Sequence, residues 1–194
     1  MINDNTITGA GTQTVTVKTG GLFRTGNNEG FHGFMATFTN NSSLHQNIEN
    51  VVLEVGSTVE YMKTGVTPNQ NITNTVPYQN LILSGTGIKT APSGILVING
   101  DLLKTGASTF SHNNGNVLFS NATAIQSFTN SGSTSFSFYD LTNRNTFGTG
   151  LNIANNLGIA NALTLSDNSK INLAAGDITL LSGVTTTSRV APIP

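Results

Sequence analysis

The sequence predicts an all-β protein, a solenoid of the parallel β-helix type, and three observations carry that expectation. The first is a degenerate internal repeat. Val59-Glu60-Tyr61, Gln70-Asn71-Ile72-Thr73-Asn74, Tyr78-Gln79-Asn80-Leu81, Leu96-Val97-Ile98 and Leu102 return as Val117-Leu118-Phe119, Gln126-Ser127-Phe128-Thr129-Asn130, Phe138-Tyr139-Asp140-Leu141, Leu151-Asn152-Ile153 and Leu157, at offsets of 58, 56, 60, 55 and 55 residues. Units too small to bury their own apolar face stack and share one elongated core. The second is a series of short apolar runs closed by Gly, Asn, Ser and Thr clusters, which is strand-and-turn chemistry. The third is the lack of any convincing 3.6-residue apolar period. Asn152 to Leu165 comes nearest, through Ile153, Leu157 and Ala160, but Asn155, Asn156 and Asn161 argue against a helix there.

In chain order, residues 1–49 lack the repeat. Phe23, Phe31, Phe34 and Phe38 crowd there among Gly20-Gly21, Gly26, Gly30 and Gly33, and the segment reads as an irregular N-terminal cap or divergent first coils that cover an open rung. Within it, Thr14-Val15-Thr16-Val17 alternates as a half-buried strand does. Residues 50–194 read as the repeat region, two units of 55–60 residues plus closing coils. Its strands are Asn50-Val51-Val52-Leu53-Glu54-Val55, Leu81-Ile82-Leu83, Ile95-Leu96-Val97-Ile98, Val117-Leu118-Phe119 and Ser135-Phe136-Ser137-Phe138. Leu163-Thr164-Leu165, Lys170-Ile171-Asn172-Leu173 and Asp177-Ile178-Thr179-Leu180-Leu181 follow.

This spacing fits a β-sandwich of hairpins as well as a parallel β-helix. Two-residue hairpin turns are scarce, Asn99-Gly100 and Ser84-Gly85 being the candidates, and the late rungs are evenly spaced, which favours the β-helix. Its inward rows are expected to include Leu81, Ile98, Leu141, Ile153, Leu165, Leu173 and Leu180.

Charged residues make up 9% of the 194, and the formal net charge is −1, which excludes a broad basic face for nucleic acid or an anionic membrane. The absence of cysteine excludes disulfides, thiolate zinc sites and thiol catalysis. No apolar run approaches the roughly 20 residues of a membrane helix. Met1-Ile2-Asn3-Asp4 lacks the parts of a signal peptide and Pro192-Ile193-Pro194 ends abruptly, so the chain reads as a piece of a longer one.

Catalysis needs titratable groups gathered in space. His32, His45 and His112 stand far apart, with no metal-ligand spacing. Glu49, Glu54 and Glu60 form the closest acidic trio, but Gly56 interrupts the strand that would align Glu54 with Glu60. Asp101, Asp140, Asp167 and Asp177 are scattered, Arg24, Arg144 and Arg189 are isolated, and no calcium run of Asp and Gly occurs. Gly9-Ala10-Gly11 and Gly85-Thr86-Gly87 are turns and not phosphate loops. The glycosylation patterns at Asn40-Asn41-Ser42-Ser43, Asn71-Ile72-Thr73 and Asn121-Ala122-Thr123 are expected by chance in so Asn- and Thr-rich a chain. Thr12 to Val17 and Thr185-Thr186-Thr187 reflect strand propensity before any flat threonine array. Asn and Ser are expected to stack in rows at corners, bonding along the axis. No catalytic, cofactor-binding or metal residue is therefore assigned.

Five phrases carry a family resemblance: Gly56-Ser57-Thr58-Val59-Glu60-Tyr61, Tyr78 to Gly87, Val97-Ile98-Asn99-Gly100-Asp101-Leu102, Phe138 to Asn143, and Ile178-Thr179-Leu180-Leu181-Ser182-Gly183 through Ile193. Over about residues 50–194 the chain resembles the repeat regions of large secreted Bacteroidetes proteins exported by the type IX system. The resemblance implies a right-handed parallel β-helix of a cell-surface adhesin or filament, with no catalytic residue to carry over. The expected role is a non-enzymatic stalk or filament module, whose partners are neighbouring repeats of the same protein or a surface glycan or protein. It involves no nucleic acid and no membrane insertion. The alternatives are a glycan- or protein-binding module and, behind it, a β-helix polysaccharide lyase or hydrolase.

Overall fold

A computed structural model describes residues 2–3, 7–8, 13–33, 42–166, 168–181 and 189–191. The protein is all-β, a parallel β-solenoid of about six turns, with no helix among the described residues. Its longest sheet holds eight strands: β1 (Ile2–Asn3), β3 (Leu22–Thr25), β5 (Thr58–Tyr61), β7 (Asn80–Leu83), β10 (Leu102–Lys104), β13 (Gln126–Asn130), β15 (Leu151–Ile153) and β17 (Ile171–Leu173). A second wall is built of β9 (Ile95–Ile98), β12 (Asn116–Phe119), β14 (Ser137–Asn143), β16 (Leu157–Leu165) and β18 (Ile178–Leu180), with β19 (Arg189–Ala191) also on β16. A short third wall joins β6 (Gln70–Asn71), β8 (Ile88–Thr90) and β11 (Thr109–Ser111), and β2 (Thr14–Val17) pairs with β4 (Asn50–Leu53). Every pairing among these strands is parallel, which rules out the sandwich of hairpins. Ser84-Gly85 and Asn99-Gly100 are corners between walls. Gly85 takes φ +72°, where a side chain is strained and would run into Lys63 O.

The coil sets the period. Val59, Leu81, Leu102, Phe128, Ile153 and Leu173 are successive partners, so rungs lie 22, 21, 26, 25 and 20 residues apart. The 55-to-60-residue offsets therefore join different walls. Val59 and Leu102 stand on the eight-stranded sheet, whereas their counterparts Val117 and Leu157 stand on the second wall. Leu96 and Leu151 exchange walls the other way. Two and a half coils separate the members of each pair, and alternating inward residues look alike on either wall. Phe23 is paired with Val59, so β3 already belongs to the stack. The chain between β3 and β5 makes a longer excursion in which Phe31, Leu44 and Ile48 are buried. Phe34 and Phe38 lie outside the described residues.

Inward rows form the core. Phe23, Val59, Leu81, Leu102, Phe128 and Ile153 form one row, and Leu96, Val117, Leu141 and Leu163 another; all are buried. Each such side chain contributes about 1.5–3 kcal/mol by leaving water. Of the seven expected inward residues, Leu81, Ile98, Leu141 and Ile153 are fully buried and Leu165 is half-buried against the core. Leu173 and Leu180 are corrections, at 50% and 39% exposure. They sit on β17 and β18, the last strands of their sheets among the described residues, so no described rung lies over them. Ser135-Phe136 is also corrected: the strand begins at Ser137 and runs on to Asn143.

Candidate functional site

The polar residues mostly tie one coil to the next. Asn80 Oδ1 accepts from Asp101 N at 2.9 Å, Asp101 Oδ1 accepts from Ser127 N at 2.8 Å, and Asn172 Nδ2 donates to Asn152 Oδ1 at 3.0 Å. Register puts these residues in one column, the corner ladder expected of Asn and Ser. A second ladder lies inside, where Gln126, Asn143 and Asn145 are wholly buried. Gln126 Nε2 donates to Ile98 O and Gly100 O, Asn145 Nδ2 donates to Gln126 Oε1 and Ala124 O, and Asn143 Nδ2 donates to Lys170 O. These bonds satisfy backbone carbonyls that the turns would otherwise bury unpaired.

The titratable groups follow the same logic. Glu54 binds Lys18 at 2.7 Å and Thr19 N at 3.0 Å, and the bond to Lys18 leads in holding its carboxyl below the usual range. Glu60 bridges Arg24 at 2.7 Å and Ser84 Oγ at 2.6 Å, on the coils either side of it. Glu29 accepts from Asn71 Nδ2, and Asp140 from Asn161 Nδ2. Glu49, Asp177 and Arg144 are exposed, Asp167 lies outside the described residues, and the side chain of Arg189 is not among those described. His32 is buried with Nε2 2.9 Å from Ile48 O and Nδ1 2.9 Å from Thr75 Oγ1, and burial lowers its pKa. His45 and His112 each accept a backbone N–H two residues on, from Asn47 and Asn114. Burial lowers the pKa of His112 as well. Among the described residues no three His, Asp or Glu converge as metal ligands do.

Sequence reasoning missed two lysines inside the solenoid. Lys89 and Lys104 are both fully buried. Lys89 Nζ donates to Gln70 Oε1 at 2.7 Å and to Lys63 O and Pro68 O, and desolvation followed by the Lys63 charge lowers its pKa to about 8. Lys104 Nζ lies beneath Gly132, where a side chain would strike it, and has no hydrogen-bond partner among the described residues; desolvation lowers its pKa too. Period-two parity carried the signal, because Lys104 stands two residues after the inward Leu102.

Thr14 and Thr16 pair with Asn50 and Val52, so the described part of that row is no threonine array; Thr185-Thr186-Thr187 lies outside the described residues. Asn121 Oδ1 caps its own turn by accepting from Thr123 N and Ala124 N. Gly9-Ala10-Gly11 and Asn40-Asn41 lie outside the described residues.

Two concavities remain. A groove of about 400 Å³ passes Thr73, Asn74, Thr75 and Asn113. Its amides are engaged internally, Asn74 Nδ2 with Ile95 O and Asn113 Nδ2 with Ala91 O, and Thr75 holds His32. A notch of about 650 Å³ opens where the third wall ends. After β10 the chain spends residues 105–115, β11 included, before the second wall; after β13 it spends residues 131–136, and after β15 only residues 154–156. The side therefore steps inward. The floor is Phe136, Leu157 and Gly158, the wall is Asn155, Asn156 and Thr179, and Ser135 and Ser137 stand at the rim.

Compared with known proteins, the chain matches no family model, no curated protein and no solved structure.

Proposed function

We propose that the chain is a non-enzymatic structural module, a stalk or filament segment of a secreted, surface-displayed, adhesin-like protein. The observation that carries this reading is the use of its carboxylates. Glu29, Glu54, Glu60, Asp101 and Asp140 each bind an adjacent coil, whereas proton transfer and charge stabilisation need such groups converging on one reacting centre. The eight-stranded parallel sheet adds to it, since backbone bonds aligned along the axis resist extension of a rod. The resemblance of residues 50–194 to the repeat regions of exported Bacteroidetes proteins supports the surface setting.

Single-molecule pulling from the two ends tests the mechanical role. Coils of 20–26 residues should peel in steps, each adding about 70–90 Å at 3.3–3.6 Å per residue. Protease treatment of intact cells that carry the parent protein should release peptides of this module. The reading fails if the purified module depolymerises an acidic polysaccharide and one Asp→Asn change stops it while the fold survives.

A further inference from the structure

The geometry points to the notch at the end of the third wall as a binding site for a neutral, polyhydroxylated ligand, a segment of uncharged glycan. This goes beyond the structural role, which stands or falls on other measurements. The cavity, about 650 Å³, lies in the range of small-ligand sites, roughly 300–1,000 Å³. It is made by the fold: the wall recedes because the connections shorten from residues 105–115 to 131–136 and then 154–156.

Its polar groups are both oriented and free. Asn155 Oδ1 is held by Asn130 N at 2.9 Å and Asn156 Oδ1 by Asp177 N at 3.2 Å, each bond reaching an adjacent coil. With the carbonyl oxygens occupied in this way, each Nδ2 is left to donate, and neither has a partner among the described residues. The hydroxyls of Ser135, Ser137 and Thr179 are likewise unpaired among the described residues. Two fixed amide donors and three hydroxyls, which both donate and accept, match the alternating donors and acceptors of a sugar. The Phe136, Leu157 and Gly158 floor suits its C–H face. No lining residue is charged, so nothing there offsets the desolvation of a phosphate, carboxylate or ammonium group. The 400 Å³ groove lacks this property, because its amides are consumed within the protein.

The test is an amide NMR titration of the whole chain with cellobiose, maltose and chitobiose, and with digalacturonate as the charged counterpart. At least one neutral disaccharide should shift the amide peaks of Asn155, Asn156 and Thr179. Ala175→Trp, which places a bulky ring at the exposed edge of the notch, should abolish the shifts. Thr179→Val keeps the strand and the side-chain shape while removing one hydroxyl, and should weaken binding up to about tenfold. If Ala175→Trp does not fold, Thr179→Val combined with Ser137→Ala serves in its place and should show the larger loss. The proposal is overturned if no neutral disaccharide moves those peaks up to its solubility limit. It is equally overturned if the shifts survive the variants, or if digalacturonate binds more tightly than every neutral sugar.

Discussion

The interior of the solenoid changes character along its axis. Its first coils enclose a polar network. Tyr61 and Tyr78 are fully buried with their hydroxyls 2.7 Å apart, Tyr78 donates to Thr73 O at 2.6 Å, and Tyr61 Oη accepts from Phe31 N and Thr73 N. Gln70 and Lys89 continue the network toward the third wall. The later coils instead enclose phenylalanine. Phe110 and Phe136 stack at 4.4 Å, and Phe138 meets Phe110, Phe119, Phe128 and Phe136 edge-on with ring centres 5.1–6.4 Å away. The two regions share one backbone architecture and hold it by different physics. Buried phenols and amides are directional and must be satisfied together, whereas phenylalanines need only fill volume in good rotamers.

That contrast can be broken most severely in the aromatic region. Phe138→Ala leaves a cavity among four rings and should cost about 3–5 kcal/mol, measured by chemical denaturation. The polar region should respond less to deletion and more to pairing. Tyr78→Phe strips a donor from Thr73 O and should cost about 1–3 kcal/mol. The double variant with Tyr61→Phe should cost less than the two single losses together, because the hydroxyls share one network. Additive losses would show that the phenols act separately.

The two buried lysines should have opposite signs. Lys104→Met removes an ammonium with no described partner and should stabilise the fold by about 1–3 kcal/mol. Lys89→Met removes three hydrogen bonds and should destabilise it. The pH dependence sharpens the comparison. Lys89 titrates at about 8 in the fold, against an ordinary lysine value near 10.4. The folded state therefore binds fewer protons than the unfolded one between those values, and stability should rise with pH across that window. Lys104 is shifted in the same direction. Burial raises the pKa of both Tyr61 and Tyr78, so stability should be lost as pH climbs above about 10, where unfolded tyrosines ionise. A melting midpoint that climbs from pH 8 and then declines above about 10 is expected in calorimetry. The climb should flatten in the Lys89→Met, Lys104→Met double variant. The smallest effect belongs to the surface: Arg24→Gln, which opens the Arg24–Glu60 pair, should cost about 0–1 kcal/mol.

What the sequence determined by itself was the β class, the parallel stacking and most of the inward residues. Alternation is local, and each short run such as Leu96-Val97-Ile98 declares its buried side within four residues. The corner ladder was legible for the same reason, since Asn80 and Asp101 each stand just before an inward leucine. Tertiary structure alone decided how the runs overlay. The coil length is set by turn residues that vary from 20 to 26 per rung, so a real similarity at 55–60 residues joined opposite walls. It also decided that Leu173 and Leu180 end their rows, and that Lys89 and Lys104 face inward, because burial depends on the rung above and not on the strand itself. The notch had no sequence signal at all. It is made by a difference in length between successive connections, residues 131–136 and 154–156, and such a difference becomes a shape only when one coil lies on another.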